Sequence, residues 1–261
     1  MWTKISKDEI TKARINVRLK YMYQVTTFLS VMMVVWILWM PGSWLMGRSQ
    51  VHDKVIGAFL DSHMKHGIVP HEVVSKYQGH SLIHFTHLLP AAVWSAIIPF
   101  QLHREFRKNH PILHRSMGYA FFGSSLLVAV GVFVILHRDL YFERFFDDLP
   151  PLSFTSEPIM YLNTFGFLGC ALNSLTLARN KQFFDHQLWI VRHISFGLWV
   201  AVQRFLLGTV AASLFPPPVP REVQRMAFVV CGFAGMITCH GCSEYSIYLL
   251  KQERELTTKT A

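Results

Sequence analysis

Long stretches without a formal charge constrain this chain more than any other feature. The hydrocarbon core of a bilayer is about 30 Å thick, so a crossing helix needs roughly 20 residues with little charge. Setting histidine aside, six stretches meet or approach that requirement: 21–47, 77–103, 116–137, 158–178, 193–220 and 226–243. Arg204 interrupts the fifth, and residues 245–250 continue the last past Glu244. Only 16% of the 261 residues are charged and 51% are hydrophobic, whereas a soluble domain carries roughly a quarter charged residues. One such run fits the buried helix of a soluble core; six do not. The expected fold is all-α, a polytopic membrane protein built as a bundle of about six transmembrane helices. The spans are expected at about 21–47, 80–102, 114–137, 158–178, 188–214 and 226–250. They form a transmembrane domain over 21–250, between a basic cytoplasmic N-terminal segment (1–20) and a cytoplasmic tail (251–261). The run after residue 20 is too long for the core of a signal peptide and lacks a small-x-small cleavage site, so the first span is expected to be retained.

Charge sets the expected orientation. Lysine and arginine accumulate on the cytoplasmic side because they are held back from translocation. Sixteen lie in residues 1–20, the second-to-third turn, the fourth-to-fifth turn and the tail; eight lie on the other side, with the acidic residues Asp139, Glu143, Asp147 and Asp148. This bias places both termini in the cytoplasm, as an even number of spans requires, and points to the plasma (inner) membrane. The net charge of +9 reads as a topology signal. Its basic residues border apolar helices rather than one soluble face, so the expected partner is the lipid bilayer and not nucleic acid. Cys170, Cys231 and Cys239 fall inside spans, with Cys242 at a helix end. That is no disulfide framework, and the lone C-x-x-C at 239–242 favours helix packing over redox or metal chemistry.

Any chemistry should lie in the histidines and one arginine. Ionisable residues inside a membrane are costly and usually face the bundle interior. His80, His84 and His87 are spaced by four and three residues, on one face of span two near the outer surface, where His137 ends span three. His186, His193 and Arg204 lie seven and eleven residues apart, a stripe down span five that includes Trp189. His114 opens span three, with Gly118 leaving room on its face for a flat ligand, and His240 sits in the inner half of span six. Two groups of histidines at two depths suit a bis-histidine haem b, whose iron takes a neutral imidazole nitrogen from each side. The candidate ligands are His84, His87, His114, His186, His193 and His240, with Arg115, Arg192 and Arg204 as contacts for a propionate or another anionic group. His80, His84 and His87 alone suit zinc as an alternative. In a plainer reading, histidines at span ends sit at the interface and arginines snorkel to water.

Arg204 resists the plainer reading. It lies twelve residues after Arg192, roughly 18 Å along a helix at 1.5 Å per residue. An unpaired arginine near the bilayer centre costs on the order of 3 kcal/mol on insertion scales. It is therefore expected to point toward a cavity bordered by spans two and three. Polar groups such as Asn163 or Asn173, or an anionic ligand, would offset the cost.

The tract His110-Pro111-Ile112-Leu113-His114-Arg115-Ser116-Met117-Gly118-Tyr119, the tract Asp185-His186-Gln187-Leu188-Trp189-Ile190-Val191-Arg192, and the single residues His84 and Arg204 carry a resemblance. Over residues 80–208 the chain resembles a family of multi-pass membrane proteins defined only as a domain of unknown function (DUF 2306). The resemblance implies a polytopic helical fold and draws attention to His114, Arg115, His186, Trp189, Arg192 and Arg204. It implies no activity. Two functions follow from the residues. One is haem-mediated transmembrane electron transfer with a redox partner or quinone. The other is a non-enzymatic role, a small transporter or assembly factor with a polar cavity lined by histidine and arginine.

Overall fold

A computed structural model describes residues 7–39, 67–70, 72–77, 79–150 and 156–259. The expected end of the first span (40–47), most of the loop after it, and His52, His63, His66 and His71 lie outside the described residues. Among those described there is no strand. Six long helices dominate: α1 (Lys7–Trp39), α2 (Ser81–Leu102), α3 (Pro111–His137), α4 (Glu157–Arg179), α5 (Phe183–Leu214) and α6 (Arg221–Lys259). All but α4 are both long and apolar enough to cross a membrane. The helix α1 begins inside the basic N-terminal segment and continues without a break into the apolar run.

The turns follow from local chemistry. A proline opens α3, where its missing N–H costs nothing. At the end of α4, Lys181 takes a left-handed conformation (φ 60°). Its N–H donates to the Ala178 carbonyl, and the Gln182 N–H donates to the Leu177 carbonyl. This paired closure satisfies the last carbonyls of a helix and allows immediate reversal, so α4 and α5 form a tight antiparallel pair. Between α2 and α3, the His103 Nδ1 accepts the Phe106 N–H and caps the short helix Arg104–Asn109.

The helices alternate in direction. At one end the start of α1 meets the end of α6 and the α2–α3 and α4–α5 turns. Arg18 donates to the Tyr245 hydroxyl at 2.9 Å, Arg104 pairs with Glu253, and Leu19 packs with Leu188, Ile247 and Leu250. At the opposite end Ile68, Val73, Phe142, Phe145, Phe146 and Phe228 form a separate apolar cluster. Arg221 fastens that cluster by pairing with Glu72 at 2.9 Å and Asp148 at 3.5 Å.

The surface is inverted relative to a soluble protein. Leu162 is 72% exposed and Ile237 71%, with Phe28, Val35, Phe165 and Val230 also exposed along the helix middles. Continuous outward apolar surface of this kind is stable only against lipid. Serines and a glutamine point inward instead: Ser95, Ser124, Ser125, Ser174 and Gln203 are all buried. Gly235 lets α5 and α6 approach backbone to backbone, since a Cβ there would lie 2.8 Å from the Trp199 carbonyl oxygen.

Candidate functional site

His193 sits at the centre of the bundle with no exposed surface. The Trp94 indole N–H donates to its Nε2 at 3.1 Å. An indole nitrogen only donates, so Nε2 is the acceptor and Nδ1 carries the proton. That Nδ1–H donates to the Phe167 carbonyl at 2.9 Å. Ser125 Oγ lies 2.9 Å from Nε2, and the Phe167 ring packs 4.2 Å from the imidazole. Four helices are tied together through one ring, and both of its nitrogens are used by the protein itself.

The outer histidines diverge. The helix α2 widens into a π-turn at His84–Leu88, which breaks the four-and-three spacing that would have aligned them. His80 faces Arg138, with Nδ1 3.3 Å from the guanidinium, and His87 donates from Nδ1 to the Val128 carbonyl at 3.3 Å. His84 is buried within the turn. Gly131 makes this packing possible, because a Cβ there would come 2.5 Å from the His87 Cβ. Among the described residues no three His, Cys, Asp or Glu side chains converge as a metal site, and the expected trio His80, His84 and His87 is not one.

Of the inner histidines, His186 and His240 are engaged with protein through Nδ1. His186 Nδ1 donates to the Ser174 carbonyl at 2.9 Å, with Ser174 Oγ at 2.8 Å. His240 Nδ1 lies 3.0 Å from Ser195 Oγ. His114 is half-buried, its Nδ1 without a hydrogen-bond partner, and the Gln101 side chain faces the space beside Gly118 and donates to the His114 carbonyl. A bis-histidine haem needs two imidazoles with open nitrogens facing each other across a slot. His193 has none open, and among these histidines only His87 borders the large cavity described below. The cysteines are all free thiols.

Of the three arginines, Arg115 is exposed. Arg192 is taken by Glu244 in a two-pronged pair at 2.6 and 3.0 Å, and it stacks on Trp189. Arg204 is different. It stands on the wall of a cavity of about 290 Å³ to which all six long helices contribute. Met33 and Trp36 come from α1, His87 and Trp94 from α2, Val128 from α3, Asn163 and Phe167 from α4, Gln203 from α5 and Phe233 from α6. The lining is mostly aliphatic and aromatic, so the cavity is less polar than the sequence suggests. The Arg204 guanidinium lies 5.8 Å from the Trp36 ring and 5.4 Å from the Phe228 ring, within cation–π range. Its one hydrogen bond to a described residue is a long one, 3.3 Å to the Gln203 side-chain oxygen, and its Nε is buried without a partner. Asn163 donates instead to the Phe196 carbonyl.

Lys76 borders the same cavity, just before α2, with its ammonium 4.5 Å from the Tyr77 ring and 4.6 Å from the Phe145 ring. Burial, and then the neighbouring Arg204 charge, hold its pKa well below the ordinary lysine range. Among the described residues no Asp or Glu lines the cavity. One turn of π geometry, His84–Leu88, borders it through His87 and Leu88, and a second, Leu206–Ala211, follows Arg204 along α5. Such insertions re-aim side chains and recur at functional sites.

Arg204 stands out in the sequence, whereas Lys76 reads there as an ordinary loop charge; its position beside Tyr77 at the mouth of span two is the available signal. The π-turns leave no such signal. No family model, curated protein or solved structure matches the chain.

Proposed function

We propose that this chain is a six-span integral membrane protein, with both termini in the cytoplasm of a plasma (inner) membrane. Its interior cavity accommodates a small amphiphile drawn from the bilayer. The role is non-enzymatic, that of a carrier or assembly factor. The observation that carries this reading is Arg204: a half-buried arginine whose buried Nε is unpartnered, on the wall of an apolar cavity. The energetic cost of placing it there calls for an offsetting partner.

The sixth span is α4. It falls short in hydropathy because Asn163, Thr164 and Ser174 turn inward, while Tyr161, Leu162, Phe165 and Leu172 turn outward. At 23 residues it is about 34 Å long, and its tight pairing with α5 places it at the same depth. The basic turns share one end of the bundle with both helix ends at Lys7 and Lys259, which supports cytoplasmic termini. The resemblance to the family of unknown function rests on its motif residues alone and adds no activity.

Native mass spectrometry of the protein released from membranes tests the reading. A co-purifying small molecule is expected at one per chain, and Ala91→Trp, which fills the cavity, should lose it while keeping the chain folded. Retention of the adduct by Ala91→Trp counts against the cavity as its site. An absorbance scan of the same preparation tests haem directly: a Soret band would restore electron transfer as the leading function.

A further inference from the structure

Two cations share one apolar chamber with no described carboxylate between them. Arg204 is packed round by Trp36, Phe228 and Gln203, and its Nε is unsatisfied. Lys76 approaches from the loop before α2, resting on the faces of Tyr77 and Phe145. Aromatic faces attract a cation but accept no hydrogen bond of ordinary strength, so these contacts hold the two heads without saturating them. Burial and the Arg204 charge both oppose a proton on the Lys76 amine, so the two heads repel whenever both are charged, strongly where water is scarce. One anionic group placed between them would relieve the repulsion and supply acceptors to both. The guanidinium favours oxygens in a plane, as in a carboxylate or phosphate.

The remainder of the chamber describes the rest of the ligand. The walls also include Met33, Ile37, Leu88, Val128, Met160 and Phe233, which suit hydrocarbon. The volume of about 290 Å³ lies at the lower edge of small-ligand pockets, roughly 300–1,000 Å³. That is room for one chain, not for a two-chain phospholipid.

Resting on the cavity reading given above, we infer that the ligand is a single-chain anionic amphiphile, its head held by Arg204 and Lys76 and its tail lying among the apolar walls. Two sources share this chemistry: a long-chain carboxylate and a lysophospholipid with a terminal phosphate.

The test is native mass spectrometry of the full chain in a neutral detergent micelle, titrated with oleate, with methyl oleate and with oleoyl lysophosphatidate. Methyl oleate keeps the chain of oleate but caps the head as an uncharged methyl ester. A saturable one-to-one adduct is expected for at least one anion, at a concentration at least about tenfold lower than for methyl oleate. A charge-assisted hydrogen bond is worth that factor or more. Whichever anion binds at the lower concentration identifies the source. Arg204→Gln and Lys76→Gln should each erase most of the preference over the ester. Equal affinity for ester and acid in the parent protein overturns the anionic head while leaving the cavity reading intact. Absence of a saturable adduct with all three probes removes both. The parent-protein comparison needs no variant, so a poorly folding Arg204→Gln does not obscure the outcome.

Discussion

His193 and Arg204 lie eleven residues apart on one stripe of α5, and their surroundings are opposites. Each nitrogen of His193 meets a partner, the ring packs against Phe167, and no surface is left exposed. Arg204 has one long hydrogen bond to a neighbour on its own helix, two aromatic faces and an unpartnered Nε, with a cavity in front of it. Both residues are costly to bury in a membrane, but the protein offsets that cost only for the histidine. A saturated polar group inside a bundle fixes helices in place; an unsaturated one is available to something that is not protein. The pairs Arg192–Glu244 and Arg104–Glu253 belong with His193 in this respect, although water shares their burden.

The contrast makes opposite demands on stability. His193→Leu should produce the largest loss, about 2–4 kcal/mol, because Trp94 Nε1, Ser125 Oγ and the Phe167 carbonyl lose a shared partner in a dry core. Thermal unfolding in detergent, followed by the loss of the monodisperse peak, measures it. A melting temperature within a degree of the parent would show that the network carries no stability. Gly235→Val comes next, at about 1–3 kcal/mol, since the new side chain must displace the Trp199 carbonyl and push α5 from α6.

Arg204→Leu should behave in the other direction: unchanged or higher melting temperature by up to about 1 kcal/mol equivalent, because an ill-satisfied buried charge is removed. Ligand retention should be lost, and Arg204→Lys should restore little of it, since a point charge does not replace a planar fork. A destabilised Arg204→Leu would move this residue into the same class as His193. Lys76 sharpens the comparison by titration. Its depressed pKa leaves the amine neutral at lower pH than an ordinary lysine, so it should acylate earlier in a pH series read by peptide mapping, provided the reagent reaches the cavity. Arg204→Gln removes a repelling charge, so the pKa should rise and acylation should shift to higher pH. Smallest of all is Arg104→Ala. It breaks an exposed pair with Glu253 and should cost less than about 1 kcal/mol.

Several of these features were legible without coordinates. The absence of charge over long runs points to helices that cross a membrane, because a backbone in hydrocarbon must satisfy its own hydrogen bonds, and five helices are long and apolar enough to do so. The position of Arg204, too far from either surface to snorkel, dictated that it face inward, and it does.

Contacts across the bundle were not legible, because they depend on how helices rotate and how closely they approach. The spacing of His80, His84 and His87 promised one face, but a π-turn adds a residue to the helical repeat there, and no local residue pattern announces it. His193 and Arg204 look equivalent along the chain. Only the arrival of Trp94, Ser125 and Phe167 around one, and of an apolar chamber before the other, separates them. Lys76 reads as a loop charge until the fold places it on the wall of the cavity that Arg204 also lines. Sequence determined which side chains a membrane could not leave unaccompanied; tertiary structure decided which received protein partners, because saturation depends on groups brought close from distant parts of the chain.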